Sequence, residues 1–165
     1  MSLFGDQGQK RYDKIIEHTV GRTLHLGSEG SYLKNHLKGN ATNLDVTGNP
    51  NIKHDLNVFP WPIEGKAYDT IIAGDVIEHV ERPYDFLLEC KRILRRRGKL
   101  IITTQNATSL AQILNSKMGE ESESPHLYCW NESQLKLLVI RAGYKIVETG
   151  LIGSFWNRNI MLRAI

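Results

Sequence analysis

Two short apolar runs with one amphipathic helix between them constrain this chain more than any other feature. Thr70 to Ala73 and Leu100 to Thr104 have the length and character of buried strands. Between them Phe86, Leu87, Cys90, Ile93 and Leu94 recur at helical spacing, with Pro83 suited to a first turn and Gly98 placed to close the far end. A strand, a crossover helix and a second strand form a βαβ unit, so the two strands pair in parallel within an open α/β sheet. Such sheets bind ligands beyond the carboxyl ends of their strands. Asp75, Glu78 and His79 follow the first strand, and Gln105 and Asn106 end the second; together they are expected to line a crevice.

The flanking segments extend the pattern. Residues 1 to 10 are polar and predict a flexible leader, followed by a helix with the stripe Tyr12, Ile15, Ile16, Thr19 and Val20 that ends at Gly21. Thr23 to Leu26 reads as a strand turning at Gly27-Ser28-Glu29-Gly30 into a helix over Ser31 to Leu37. A second strand covers 42 to 46. The breakers Thr47-Gly48-Asn49-Pro50-Asn51 shorten the next crossover before an extended piece, Ile52 to Asp55. Asn131 with Gln134 forms a capping box before the stripe Leu135, Leu138, Val139 and Ala142. Residues 144 to 152 and 158 to 164 predict a closing antiparallel hairpin, and the Ser- and Glu-rich segment 116 to 126 an exposed loop, a candidate lid.

At 165 residues the chain is expected to form a single domain with a substantial core. A formal charge of +3 does not by itself indicate nucleic acid. The basic run Lys91, Arg92, Arg95, Arg96, Arg97 and Lys99 is read as solvated cations opposing the negative end of a helix. Cys90 and Cys129 lie too far apart for a disulfide framework or a zinc motif, which fits a reducing, cytoplasmic setting. No apolar run reaches the roughly 20 residues of a membrane span, and no signal-peptide core is evident at the amino terminus. No metal-like spacing connects His25, His36 and His54, so they read as packing or surface histidines and no metal is expected.

The strand, turn and helix start around Gly27 and Gly30 offer outward-facing backbone amides to a carboxylate-bearing ligand. Asp45, at the end of the next strand, is placed to accept hydrogen bonds from ribose hydroxyls. Asp55 is placed likewise for an exocyclic amine. Taken in order, these positions describe an adenosine site. Singly, each has a plainer reading: a turn that binds nothing, an Asp45 that caps a turn, and a Glu78 and His79 that cap the following helix.

Asn43-Leu44-Asp45, His54-Asp55-Leu56-Asn57, Phe59-Pro60-Trp61-Pro62, Val76-Ile77-Glu78-His79-Val80 and Thr104-Gln105-Asn106 together resemble class I S-adenosylmethionine-dependent methyltransferases. The resemblance is to the small, type 11-like domain and covers about Thr23 to Gly150. It departs at the first turn, where only Gly27 matches the glycine pattern, His25 replaces the usual acid, and Glu29 and Ser31 stand at later glycine positions. It implies a Rossmann-like, seven-stranded, mostly parallel sheet with helices on both faces and an antiparallel terminal hairpin. It also implies S-adenosyl-L-methionine as cofactor, held by Gly27, Ser28, Glu29, Gly30, Asp45, Val46, Asp55, Leu56 and Asp75. His79 is the candidate proton acceptor, with His126 behind it. The expected acceptor is a small molecule, and a homodimer would supply the missing wall of its pocket. Two other functions stay open at this level: a non-catalytic methyltransferase-like binding or scaffold module, and a nicotinamide-dependent oxidoreductase. The second is disfavoured by the missing G-x-G-x-x-G and the absent catalytic domain.

Overall fold

A computed structural model describes residues 5–27, 33, 36–37, 41–110, 113, 126–153 and 158–165. In chain order the elements are α1 (Gly5–His18), β1 (Thr23–Leu26), β2 (Ala41–Asp45), β3 (Ile52–Lys53), β4 (Tyr68–Gly74), α2 (Pro83–Ile93), β5 (Leu94–Gln105), α3 (Glu132–Arg141), β6 (Ile146–Gly153) and β7 (Arg158–Ala164). They build one seven-stranded sheet in the order β3-β2-β1-β4-β5-β7-β6. The pairings from β3 through β5 are parallel, whereas β7 runs antiparallel to both β5 and β6. The expected sheet and its closing hairpin are both present; the hairpin's turn and the candidate lid over 116 to 125 lie outside the described residues.

Strand alternation divides the core between the two faces of the sheet. Ile72, Ile101 and Met161 point to one face, where Ile15 of α1 covers them with Leu33 and Leu37. Ile71, Leu100, Ile102, Ile160 and Leu162 point to the other, beneath Phe86, Leu87, Cys90 and Ile93 of α2 and Leu135 and Val139 of α3. Helices on both faces explain why the central strands are buried on both sides, β1 at every position. No described helix is long and apolar enough to cross a membrane.

Helix α1 starts at Gly5, inside the segment expected to be a flexible leader. Pro83 opens α2 as expected, and α3 carries the complete capping box, Asn131 Oδ1 accepting from Gln134 N at 2.9 Å. Gly98 does not close α2. The helix ends at Ile93, β5 starts at Leu94, and Gly98 sits where the β4–β5 register slips between Tyr68↔Leu94 and Thr70↔Lys99. A Cβ there would lie 2.9 Å from Arg95 O and 3.2 Å from Asp69 O, so close approach of two backbones requires the glycine.

The cations from Lys91 to Arg97 are exposed as expected, but three of them bind other parts of the chain rather than the end of their own helix. Lys91 donates to Ala142 O at 3.2 Å, at the carboxyl end of α3 rather than of its own helix. Arg95 pairs with both oxygens of Asp69 at 2.9 Å. Arg92 grips Glu89 through Nε at 2.8 Å and donates to Ile63 O at 2.8 Å.

Glu89 is the hinge of this region. Its carboxylate is buried, accepts from Trp61 N at 2.7 Å, and fastens the Phe59-Pro60-Trp61-Pro62 segment to α2. Burial alone would raise its pKa; the bonds from Arg92 and Trp61 N outweigh burial and lower it. The clamp seats Trp61 edge-on against Phe86, ring centroids 5.5 Å apart. Glu89→Ala strands a buried amide and a guanidinium, and is expected to lower the unfolding free energy by about 2 kcal/mol in chemical denaturation.

Candidate cofactor cleft

The order of strands reverses direction across β1: one path of chain leads outward through β2 and β3, the other through β4 and β5. Diverging connections leave a crevice beyond the carboxyl ends of the strands, and a cleft of ≈ 310 Å³ opens there. Its walls are Gly27 after β1, Asp45 and Val46 after β2, His54 to Asn57 after β3, and Asp75, Val76, His79 and Val80 after β4. Seven of the residues expected at the site therefore converge: Gly27, Asp45, Val46, Asp55, Leu56, Asp75 and His79. Ser28, Glu29 and Gly30 lie outside the described residues. Gln105 and Asn106 are not among the described lining residues; Asn106 is buried, its Oδ1 accepting from Thr108 N at 3.1 Å and Thr108 Oγ1 at 2.9 Å.

Each acid is held by its own loop. Asp45 Oδ1 accepts from the amide and hydroxyl of Thr47, both at 3.0 Å, and Asp55 Oδ1 accepts from Asn57 N at 2.9 Å. His54 N donates to Asp45 O at 2.9 Å, which brings the two acidic loops side by side. Asn57 reaches the opposite wall, its Oδ1 accepting from Glu81 N at 2.9 Å. Asn57 and His54 were not singled out as ligands in the sequence; their nearness to Asp55 is the signal that would have included them.

Gly27 takes a positive φ of 60°, and its amide donates to Leu44 O at 3.0 Å. An added Cβ would stand 2.6 Å from Val76 Cγ2, so the floor of the cleft has room only for glycine at this turn. Asp75 also takes a positive φ, 53°, as the chain leaves β4, while its amide still bonds Thr103 O at 2.8 Å. That backbone conformation turns the Asp75 carboxylate to Arg11 of α1, a partner no local sequence pattern announces.

Beneath the rim, Glu78 is buried and neither carboxylate oxygen accepts a hydrogen bond of normal geometry among the described residues. Burial, with the Asp75 charge adding to it, pushes its pKa up to about 7. His79 meets His126 edge-on with ring centroids 4.7 Å apart. In β1, burial pushes His25 down to about 4 against the pull of Asp45.

Among protein families, the methyltransferase domain matches residues 18–149. The chain belongs to the methyltransferase domain family. S-adenosyl-L-methionine is the cofactor this membership implies, and the cleft's acceptors, the carboxylates of Asp45 and Asp55 beside the Gly27 turn, suit a ligand rich in hydroxyl and amine donors. A tRNA U34 carboxymethyltransferase of Pseudoalteromonas translucida is 28% identical over 84% of this chain, which spans 50% of that relative's length. A Thermotoga maritima S-adenosylmethionine-dependent methyltransferase, described as a possible histamine N-methyltransferase, superposes with a TM-score of 0.77 at 17% identity, covering 95% of this chain and 88% of the other. The 1,6-didemethyltoxoflavin N1-methyltransferase of Burkholderia thailandensis, solved with its substrate and S-adenosylhomocysteine, gives 0.74 at 13% identity, covering 99% and 80%. At these identities the two structures establish the shared methyltransferase fold.

Two substitutions test the methyltransferase cleft. Gly27→Ala is expected to destabilise by about 2 kcal/mol through strain and the clash with Val76. The same change at Gly150, which has open space around it, is expected to stay within about 0.5 kcal/mol. His25 is neutral in the fold down to about pH 4 but takes a proton near 6.5 when unfolded. Wild type is therefore expected to lose about 3 kcal/mol of stability relative to His25→Gln between pH 6.5 and 4, measured by denaturant titration at each pH.

Proposed function

We propose that this chain transfers a methyl group from S-adenosyl-L-methionine to a nucleophilic oxygen, nitrogen or carbon of a small-molecule acceptor. The observation that carries this reading is the convergence of Asp45, Asp55 and Gly27 on one cleft at the reversal point of a methyltransferase sheet. The cofactor brings an already activated methyl group, which leaves in a single in-line displacement. The protein's part is then to bind, orient and exclude water. Asp45 and Asp55 would anchor the nucleoside, Val46 and Leu56 would cover its base, and the backbone at Gly27 to Gly30 would face the amino-acid end, with Ser28 and Glu29 contributing from that turn.

Asp75 would join them in holding the cofactor, and His79 lines the same cleft. His79 would take up the acceptor's proton as the methyl arrives, with His126 behind it. A small acceptor is favoured over nucleic acid because Lys91, Arg92 and Arg95 are engaged by carbonyls and carboxylates of their own chain rather than left as a phosphate-binding face. A cytoplasmic setting and a homodimer that completes the acceptor wall belong to the same proposal.

Calorimetric titration with S-adenosylmethionine and S-adenosylhomocysteine tests the reading. Wild type is expected to bind both at micromolar concentration, and Asp45→Ala, which removes charge-assisted bonds to the ribose, to bind about 30-fold more weakly. A wild type that binds neither would replace the enzymatic reading with that of a non-catalytic module.

A further inference from the structure

Glu78, His79 and His126 place three ligand atoms, one carboxylate oxygen and two imidazole nitrogens, within 4.8 Å of one another. We infer that this cluster is a binding site for a divalent first-row transition ion of the zinc class. Two imidazoles and a carboxylate make the mixed N/O donor set such ions favour, and three protein ligands leave coordination positions open to an exogenous oxygen or nitrogen.

Glu78 is the observation that points to a ligand rather than to chance proximity. Its side chain is 2% exposed, and both carboxylate oxygens lie buried without a hydrogen bond of normal geometry among the described residues. Thr104 and the Glu78 amide lie close enough to ease the charge without closing good hydrogen bonds; a buried carboxylate so poorly satisfied is costly, and pairing or metal binding is the usual remedy. The Arg11 guanidinium nearby is taken by Asp75.

The backbone holds the cluster in register. Leu127 N and Tyr128 N both donate to Glu78 O, at 2.9 and 3.2 Å, and Tyr128 Oη donates to Glu81 O at 2.9 Å. Ala107 N closes the far side on Trp130 O at 2.8 Å. The irregular segment that carries His126 is thus stitched to the turn that carries Glu78 and His79. Donors on a tetrahedral zinc ion stand about 3.4 Å apart, so side-chain rotation at His79 and His126 is enough to close the site without moving that backbone.

Ion binding as such does not depend on the methyl-transfer reading, but its use does. His79 also lines the cofactor cleft, so the open positions would face the incoming acceptor. There the ion would draw the acceptor oxygen or nitrogen in and ease loss of its proton to solvent, in place of direct uptake by His79.

The test uses the whole chain, stripped with a chelator and titrated with Co2+ and then Zn2+. The expected result is one ion per chain, strong visible absorption from Co2+ in a low-coordinate site, and displacement by Zn2+. His126→Ala and Glu78→Gln are each expected to weaken binding at least about 10-fold. His126→Asp, which restores an oxygen ligand, is expected to recover part of it. Cys129→Ser and Asp45→Ala are expected to leave it unchanged, the latter separating this site from nucleoside binding. Glu78→Gln is judged only if its melting curve stays cooperative; His126→Ala carries the test otherwise. A wild type that binds no ion, or a His126→Ala variant that binds as the wild type does, overturns the inference.

Discussion

Everything functional in this protein depends on the point where the parallel sheet changes direction. Strand β1 is hydrogen-bonded on one side to β2 and on the other to β4. Chain leaving these strands is drawn to opposite sides, so a crevice opens at their carboxyl ends between Gly27 and the loops after β2 and β4. Because parallel strands all point their carboxyl ends the same way, every acid placed just after a strand arrives at one rim. Asp45 and Asp75 share that rim although distant in the chain, and the short strand β3 adds Asp55 beside them.

Backbone geometry then decides what the crevice can hold. Gly27 bends back over Val76 with no space for a side chain, so only glycine fits the turn that leaves β1. Asp75 takes the left-handed conformation where β4 ends, a cost the surrounding strands enforce through the bond from its amide to Thr103. The resulting rim is acidic, with Asp45, Asp55 and Asp75 lining the cleft and Arg11 paired to Asp75. A field of that sign favours a ligand carrying positive charge, such as a sulfonium or an ammonium group.

Below the rim the electrostatics change character. Glu78 and His25 are buried close to the site with their charged forms disfavoured, so both can be neutral near the middle of the pH range. Burial drives both shifts, in opposite directions for an acid and a base. Neither shift is visible in the identity of the residue; each exists only because the fold buries the group.

The strands at the centre, the capping box of α3, Pro83 at the start of α2 and the acids at the strand ends were all legible from local pattern, since each depends on neighbours within a turn or a strand. Gly98 shows where local pattern misleads. A glycine after an amphipathic run reads as a helix stop, yet here it serves the close approach of β5 to the backbone at Asp69, which involves a strand distant in sequence. Lys91 is similar: its charge suits the end of its own helix, but tertiary packing delivers it to the carbonyls ending α3. The residues of this chain thus determined by themselves the βαβ framework, its family and the acids that ring the cleft, because strand periodicity and strand-end position are properties of short segments. Only the tertiary structure decided that Arg11 faces Asp75, that His126 meets His79 and that Glu78 is buried beside them, because those relations join segments whose separation along the chain carries no local signal.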